Sequence, residues 1–352
     1  MKIAITADLH LTTQEANPER FQTFADILDQ CDKNDVEILV IAGDLFDKNI
    51  TNFSDFESTC RKHAPEEIKI FVIPGNHDSG LIDSAIAIDQ VTVIEKPSIE
   101  SFDSEFLFLL VPYAEKVNMG EQIAQFRDKL EPKKWILISH GDWIGGVRPP
   151  DPYEQGVYMP ISNADIVQYD PFQIFLGHIH LPSDSGKVHY VGSPCPIKST
   201  ETGQRRFIVF DSKEKSFQQI YVNCPWLYFN ENFVVLPVEN EKEHLKERIR
   251  QRIEGWGIPS TNEQKIKIRV SISGYTPDRS SITQLVKKEF SKYELIDDGP
   301  IVDELNQIVD PDRANLATAI EKWVGELNWD ESELEPSKDE ILIEALRTIY
   351  ED

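Results

Sequence analysis

Short apolar runs recur along the first half of the chain, and each run ends at a cluster of polar residues. Runs of about five apolar residues that stop at Gly, Pro or Asp are typical of buried strands that lead into loops. Segments with helical spacing lie between the first three runs, so residues 1–80 are predicted to fold as β-α-β-α-β. The five runs cover residues 3–7, 38–42, 69–73, 135–139 and 172–176.

After residue 80 the pattern changes to more and shorter strands. A Gly- and Pro-rich segment, residues 145–152, is expected to be a surface connection. The first domain is predicted to close near its last strand and to span residues 1–223. Its later elements are predicted as short strands near residues 94 and 99, a strand over 106–111, a helix over 117–130, and a β-rich second layer from 188–191, 206–210 and 217–222.

The remainder of the chain is predicted as a small α/β domain, residues 224–300, and an acidic helical tail, residues 301–352. The last helix carries an apolar stripe that either packs on its own domain or binds a partner helix, and the acidic linker before it favours a partner. The stripe consists of Ile341, Leu342, Ala345, Leu346 and Ile349. The predicted strands are 231–237, 265–273 and 293–296, and the predicted helices are 241–254, 280–290, 301–308, 314–327 and 339–350.

Charge is distributed unevenly along the 352 residues. The whole chain has a net charge of −25, which opposes binding to nucleic acid because phosphate contacts depend on Lys and Arg. Residues 301–352, however, hold fifteen acidic residues against four basic ones, whereas residues 241–293 hold twelve basic against seven acidic. The acidity therefore belongs largely to the tail, and the segment 241–293 is a candidate surface for DNA.

The apolar runs and the cysteines indicate the cellular compartment in which we expect the protein. The chain has no apolar run of membrane-spanning length, and its first strand begins at once without a charged and apolar leader, so we expect a cytoplasmic protein with no membrane contact. The four cysteines are far apart in sequence and form no Cys-x-x-Cys pair. They are expected to be reduced thiols rather than a disulfide framework or zinc site.

The polar residues at the strand ends are the strongest candidates for chemistry. Five of the eight histidines occur there, and strand ends of an α/β sheet meet along one edge. A set of oxygen and imidazole donors without thiolate suits Mn²⁺, Fe²⁺ or Zn²⁺. Seven donors are too many for one ion and suit two ions about 3.5 to 4 Å apart, the arrangement that hydrolyses phosphoesters in two-metal enzymes. The candidate residues at the strand ends, seven of which would be metal donors, are Asp8, His10, Asp44, Asn76, His77, Asp78, His140, His178 and His180.

In order and spacing these residues resemble the motif set of the calcineurin-like metallophosphoesterases. Within that superfamily, residues 6–11, 43–47 and 176–180, with residues 190–194, are similar to the SbcD-type DNA repair nucleases. The resemblance covers residues 1–222. It implies an α/β fold, a four-layer-type β-sandwich flanked by helices, with a small α/β capping domain and a C-terminal helical tail. The motifs are Asp8-x-His10, Gly43-Asp44-x-x-Asp47, Gly75-Asn76-His77-Asp78, His140 and Gly177-His178-x-His180.

The resemblance also implies a role for each residue. One metal ion would be held by Asp8, His10, Asp44 and His180, and a second by Asp44, Asn76, His140 and His178, so that Asp44 bridges the pair. His77 would donate a proton to the leaving oxygen, and Asp78 would orient it. Asp47 and Asp142 are expected to support the loops.

The leading hypothesis is two-metal hydrolysis of DNA phosphodiester bonds, with Mn²⁺ the favoured metal. The resemblance further implies that the chain works as a homodimer with an SbcC-like coiled-coil ATPase in a heterotetramer, and that the stripe on the last helix binds that ATPase.

Two alternatives remain open. A metallophosphoesterase for small phosphodiesters or phosphoproteins would not need the basic segment or the helical tail. A binding scaffold on the same fold would be expected to lack some of the ligands, and none is missing here.

Overall fold

The computed structural model divides the chain into two compact units. The first unit comprises residues 1–197 and 204–225, and the second comprises residues 198–203 and 226–352. The predicted surface loop lies mostly outside the described residues, as does the acidic linker. The described residues are 1–48, 50–130, 134–145, 156–238, 240–307, 314–328 and 336–350.

The first unit begins β-α-β-α-β, as the apolar runs predict, and then continues with more strands than helices. Its strands are β1 (Lys2–Thr6), β2 (Ile38–Ala42), β3 (Lys69–Ile73), β4 (Val91–Val93), β5 (Ser98–Glu100), β6 (Phe106–Val111), β7 (Lys134–His140), β8 (Trp143–Ile144), β9 (Ile161–Ser162), β10 (Gln173–Gly177), β11 (Ser183–Ser185), β12 (Val188–Tyr190), β13 (Arg206–Asp211) and β14 (Ser216–Tyr221). Its helices are α1 (Pro18–Lys33), α2 (Ser54–His63), α3 (Met119–Ala124), α4 (Arg127–Leu130) and α5 (Asn163–Tyr169).

These strands form two larger sheets. One has the order β14-β13-β1-β2-β3-β4 and the other the order β11-β12-β10-β7-β6-β5. Strands β1 to β4 are parallel neighbours, as are β6, β7 and β10. Because their carboxyl ends point the same way within each sheet, the loops that follow these strands lie along one edge of it.

Apolar side chains fill the space between the two sheets and cover their outer faces. Ile3 and Ile5 of the first sheet and Phe106 and Ile136 of the second belong to one buried cluster. Helices α1 and α2 cover the outer face of the first sheet, whereas α3 and α5 contribute to a separate cluster on the second. Strands buried on both faces are continuously apolar. The predicted fold, a β-sandwich flanked by helices, is confirmed.

Some predicted elements differ from the structure. Strands β13 and β14 extend the first sheet, with β13 antiparallel to β1, instead of belonging to a second layer. The single helix predicted over residues 117–130 is two short helices, α3 and α4. The helix predicted over residues 301–308 is wrong for the described residues 301–307, because Ile301 and residues 305–307 pair with a long strand of the second unit.

The second unit is built on that long strand. Strand β16 pairs in parallel with β15, β17 and β18. Leu305 of β18 is buried while its neighbours Asn306 and Gln307 are exposed, a pattern that suits a short edge strand. The elements are β15 (Leu227–Val235), α6 (Glu241–Gly255), β16 (Ile266–Thr276), α7 (Arg279–Glu289), β17 (Glu294–Leu295), β18 (Leu305–Gln307), α8 (Ala314–Glu326) and α9 (Lys338–Tyr350).

The apolar stripe of the last helix folds back on its own unit. Leu342, Leu346 and Ile349 of α9 are buried in a cluster with Val234 and Tyr275 of the sheet. The hypothesis that this stripe binds a partner is therefore wrong, because its central residues are already covered. No helix in the described part of the chain combines the length and the apolar character needed to span a lipid bilayer.

Candidate metal centre

The structure brings together the polar residues that follow the strand ends of the first unit. Asp8 and His10 follow β1, Asp44 follows β2, Asn76 and His77 follow β3, His140 ends β7, and His178 and His180 follow β10. Side chains from both sheets therefore meet at one edge of the sandwich, although more than 170 residues separate the first from the last.

One group of side chains surrounds His10. Its Nε2 atom lies 3.1 Å from Nε2 of His180 and 3.6 Å from Oδ2 of Asp44. Ligand atoms of Asp8, His10 and His180 lie within 4.8 Å of one another, a spacing that a single cation can bridge.

A second group surrounds His140. Its Nε2 atom lies 2.8 Å from Oδ1 of Asn76 and 3.5 Å from Oδ2 of Asp44. Nδ1 of His178 lies 3.2 Å from the same Asn76 oxygen. Asp44 thus adjoins both groups through one carboxylate oxygen, the position that a bridging ligand requires.

The donor set fits divalent cations. It consists of carboxylate, amide and imidazole groups without thiolate, which suits Mn²⁺, Fe²⁺ or Zn²⁺. Asp8 and Asp44 are buried, and buried carboxylates are costly unless a cation or hydrogen bonds compensate them. A dinuclear centre held by Asp8, His10, Asp44, Asn76, His140, His178 and His180 is therefore chemically reasonable, and the assignment of these ligands stays a prediction.

The electrostatics of the centre are set by burial and by mutual pairing. Burial raises the pKa of Asp8. Burial also opposes ionisation of Asp44, but the imidazoles of His140 and His10 lower its pKa overall. For His140 the effect of burial is outweighed by the Asp44 and Asp8 carboxylates, which raise its pKa. These shifts reflect charges gathered in a space with little water.

The backbone around the centre is held in a sparsely populated conformation. Asp8, His10, Asp44 and His178 have φ angles of +53°, +45°, +50° and +91°, in the left-handed region that non-glycine residues seldom adopt. Gly43, at φ +89°, lies so close to the His140 ring that a Cβ atom there would overlap it. Strain of this kind persists where the surrounding structure enforces it and is frequent at functional sites.

His77 lies at the edge of the centre beside Asp47. Its Nδ1 atom is 3.1 Å from Oδ1 of Asp47, and its backbone N–H donates to Oδ1 of Asp44 at 2.8 Å. The nearby imidazoles of His10 and His77 hold the pKa of the Asp47 carboxyl well below its usual range. The orienting contact expected from Asp78 is thus made by Asp47.

Asp78 instead joins two of the loops. Its carboxylate accepts hydrogen bonds from the backbone N–H groups of Gly75 at 2.5 Å and Phe46 at 3.1 Å. Burial, together with the charge of Asp44, raises the pKa of Asp78 to about 6. It fixes the loop after β3 to the loop after β2, and so positions His77 through the backbone.

Two arginines that the sequence did not single out support the loops from behind. Arg20 on α1 donates to the carbonyl oxygen of His10 and, at 3.4 Å, to Asp47. Arg205 is fully buried and donates to the carbonyl oxygens of His180 at 2.6 Å and Ser193 at 2.9 Å. Neither lies in a recognisable motif, so only the three-dimensional structure reveals them.

Asp142 supports another loop, as expected. It accepts a hydrogen bond from the backbone N–H of Tyr158 at 2.6 Å, and the Tyr158 ring lies 4.6 Å from the ring of His178. Nε2 of His178 is 3.8 Å from the Asp142 carboxylate. This aspartate therefore holds an aromatic residue against one of the predicted ligands.

The fold and this centre together define a phosphoester hydrolase. A profile of the calcineurin-like phosphoesterases matches residues 1–210, more than half of the chain. The chain belongs to this family, so it is an enzyme that hydrolyses phosphoester bonds, and the superfamily resemblance is confirmed.

Individual proteins are similar to the chain at low sequence identity. The DNA double-strand break repair protein Mre11 of Methanopyrus kandleri is 22% identical over 297 residues, which cover 71% of this chain. The chain spans 63% of the length of that relative. An archaeal phosphodiesterase structure has 13% identity and a TM-score of 0.34, covering 63% of this chain and 99% of that one. A dimetal phosphatase from Danio rerio has 12% identity and a TM-score of 0.36, covering 59% and 91%.

Proposed function

We propose that this enzyme is an SbcD-type nuclease that hydrolyses DNA phosphodiester bonds with two divalent ions, for which Mn²⁺ is the favoured metal. The observation that carries the proposal is the pair of donor groups around His10 and His140, which share Asp44 and have His77 beside them. The similarity to an Mre11 protein supports DNA as the substrate.

Each residue of the centre has a task in the proposed reaction. Asp44 would join the two ion positions, while Asp8 with His180 and Asn76 with His140 would complete them. Two divalent ions, when bound, stabilise the charge on the attacking and leaving oxygens of a phosphoester. The loops that hold the donors are fixed before substrate arrives, because Arg20, Arg205 and Asp78 bind their backbone.

His77 would act as the general acid. A proton on its imidazole can pass to the leaving oxygen, and Asp47, whose Oδ1 atom lies 3.1 Å from Nδ1, can orient the ring. Because ligand atoms of His10, Asp44 and His77 also lie within 4.8 Å of one another, metal analysis of a His77 variant is needed to separate the two roles.

The second unit is proposed to help bind DNA, but not through the arginines of α6. Arg248 pairs with Asp339, Arg250 with Glu247 and Glu254, and Arg252 with Glu231. These carboxylates offset the positive charge that phosphates would need. The exposed residues Lys287 and Lys288 on α7 are better candidates for phosphate contacts.

An ATPase partner is also part of the proposal, with a new candidate surface. Helix α8 exposes Leu316 and Trp323, which are 47% and 63% exposed, and Leu327, directly after the helix, is 44% exposed. The spacing of seven residues puts Leu316 and Trp323 on one face of the helix, a pattern used to bind another helix. We propose that this face binds the SbcC-like coiled-coil ATPase, with the nuclease dimeric in the complex. Loss of co-elution in Trp323→Glu, with hydrolysis retained, is the expected result.

A second candidate function is hydrolysis of small phosphodiesters. The paired arginines of α6 favour it, since a dedicated DNA-binding surface would leave its cations available. In this alternative the second unit would not contribute to substrate binding.

One assay separates the two candidates. The purified protein is incubated with Mn²⁺ and labelled duplex DNA, single-stranded DNA or a chromogenic phosphodiester. The proposal predicts cleavage of DNA as well as of the small ester. Cleavage of the small ester alone would favour the second candidate, and no cleavage of any substrate would contradict both.

A further inference from the structure

A pocket of about 330 Å³ lies directly beside the proposed general acid in the first unit. It is lined by His77, Asp47 and Asp78 on the side of the metal centre. Its other lining residues are Phe46, Ile50, Thr51, Phe53, Gly80 and Leu81. Its volume lies in the range found for pockets that bind small molecules or parts of larger molecules.

The walls away from the centre are apolar and aromatic. The rings of Phe46 and Phe53 lie 4.7 Å apart and are tilted by 42°. Ile50 and Phe53 are only partly buried, so part of their apolar surface faces space that a ligand could occupy. Such a wall suits a flat, uncharged group, because aromatic side chains stack on the faces of nucleobases.

The charges at the inner end exclude a phosphate from the same space. Asp47 and Asp78 are both carboxylates that line the pocket, and they would repel the phosphodiester group itself. The phosphate is expected at the metal centre, where cations would offset its charge. The pocket is therefore suited to a neutral part of the substrate.

The position of His77 identifies which part that is. A general acid must lie within hydrogen-bonding reach of the oxygen that it protonates. The group attached to the leaving oxygen then lies on the His77 side of the reacting phosphorus, and His77 is itself one of the residues that line the pocket.

We propose that this pocket binds the nucleobase of the nucleoside that leaves, with Phe53 and Ile50 as specificity-determining residues. The inference depends on the proposed function, because it assigns His77 to the leaving oxygen and DNA to the substrate. It adds a base-binding subsite on the leaving side that the metal centre itself does not require.

The test uses three dinucleotides: thymidylyl-thymidine and two versions in which one or the other thymidine is replaced by an abasic deoxyribose. The nucleoside released without phosphate identifies the leaving side. For wild-type enzyme, kcat/KM should be about tenfold higher with a base on the leaving side than without it, a size typical of one aromatic stacking contact. Removing the base from the other side should have a smaller effect.

Phe53→Ala and Ile50→Ala should each reduce that ratio, and Phe53→Ala should bring it to about one. Because the ratio compares two substrates of the same preparation, it does not depend on how much of the variant is folded. Val167→Ala is the matched control, since Val167 is 81% exposed on α5 and is not among the residues that line the pocket. Its ratio should equal that of wild type.

The outcomes distinguish the two levels of the proposal. If dinucleotides are cleaved but the ratio is about one in wild type, or unchanged in Phe53→Ala, the pocket does not bind the base and the inference is wrong. If the chromogenic phosphodiester is hydrolysed and no dinucleotide is, the proposed DNA substrate is wrong and the inference with it.

Discussion

Two regions of the molecule concentrate charge, and they do so in opposite ways. At the strand-end edge of the first unit, carboxylates and imidazoles from five strands are buried together, and their backbone is strained. On α6 of the second unit, the three arginines are at least partly exposed, and each lies beside a carboxylate of the same unit.

The comparison teaches how to separate a reactive cluster from a structural one. Arg252 and Glu231 offset each other, so their arrangement is complete without a ligand. The donor atoms of Asp8, Asp44 and the neighbouring histidines instead lie close enough to one another to bind cations together. The number of charged residues in a segment of the sequence does not distinguish the candidate metal centre from the ion pairs of α6.

The largest effect is expected from Asp44→Ala. Loss of the carboxylate shared by both donor groups should abolish binding of at least one ion and reduce hydrolysis of a chromogenic phosphodiester below detection, because two-metal chemistry needs both ions. Metal content and rate are measured on the same preparation. Asp170→Asn, an exposed aspartate paired with Lys187, is the control and should behave as wild type. Full metal content in Asp44→Ala would exclude the bridging role.

His77→Ala should lower the rate by roughly 10² to 10⁴, the range for losing a general acid, while metal content is retained. The measurement is kcat on a phosphodiester with a poor leaving group, where protonation matters most. His63→Ala removes an imidazole that pairs with Asp29 away from the centre and should leave the rate unchanged. Loss of an ion in His77→Ala would make His77 a ligand.

The arginines of α6 should affect stability unequally. Arg252→Ala removes the charged partner of Glu231, a carboxylate that is only 7% exposed and that also accepts a hydrogen bond from Trp256. We therefore expect the free energy of unfolding to fall by about 1 to 3 kcal/mol. Arg250→Ala removes only exposed pairs, which water screens, and should change stability much less than Arg252→Ala. Urea unfolding followed by tryptophan fluorescence compares the two. Equal effects would mean that burial of Glu231 is unimportant.

A smaller effect is expected when the charges of Lys287 and Lys288 are reversed to Glu. DNA affinity should fall several-fold and the slope of log affinity against log salt should decrease by about 1 for each lost phosphate contact. Hydrolysis of the chromogenic ester should not change. Arg250→Glu is the matched charge reversal on the paired helix. If it weakened DNA binding more than the lysine reversals, α6 would be the DNA surface after all.

The sequence predicted the first unit better than the second for a physical reason. Strands such as β2 are buried on both faces and stop abruptly at Gly43, so apolar runs and turn residues locate them well. Leu305 lies in a three-residue strand that is defined by its pairing with Gly274. No local sequence pattern predicts a contact between residues so far apart in the chain. The burial of the α9 stripe likewise depends on which surface lies opposite it.

The same distinction holds within the centre. Asp8, His10 and Asp44 could be predicted because each follows a strand in a recognisable motif. The partner of His77 could not, because Asp47 and Asp78 are both acidic, and only the folded loops show which one lies 3.1 Å from the imidazole. The burial of Arg205 could not be predicted either, because an arginine before a strand is ordinarily exposed.

The central claim is that two ions share Asp44, and electron paramagnetic resonance of the protein with two equivalents of Mn²⁺ tests it most directly. The account predicts the spectrum of an exchange-coupled pair, and predicts that Asp44→Asn abolishes the coupling. A spectrum of isolated Mn²⁺ in the wild-type protein, at full occupancy of two ions, would contradict it.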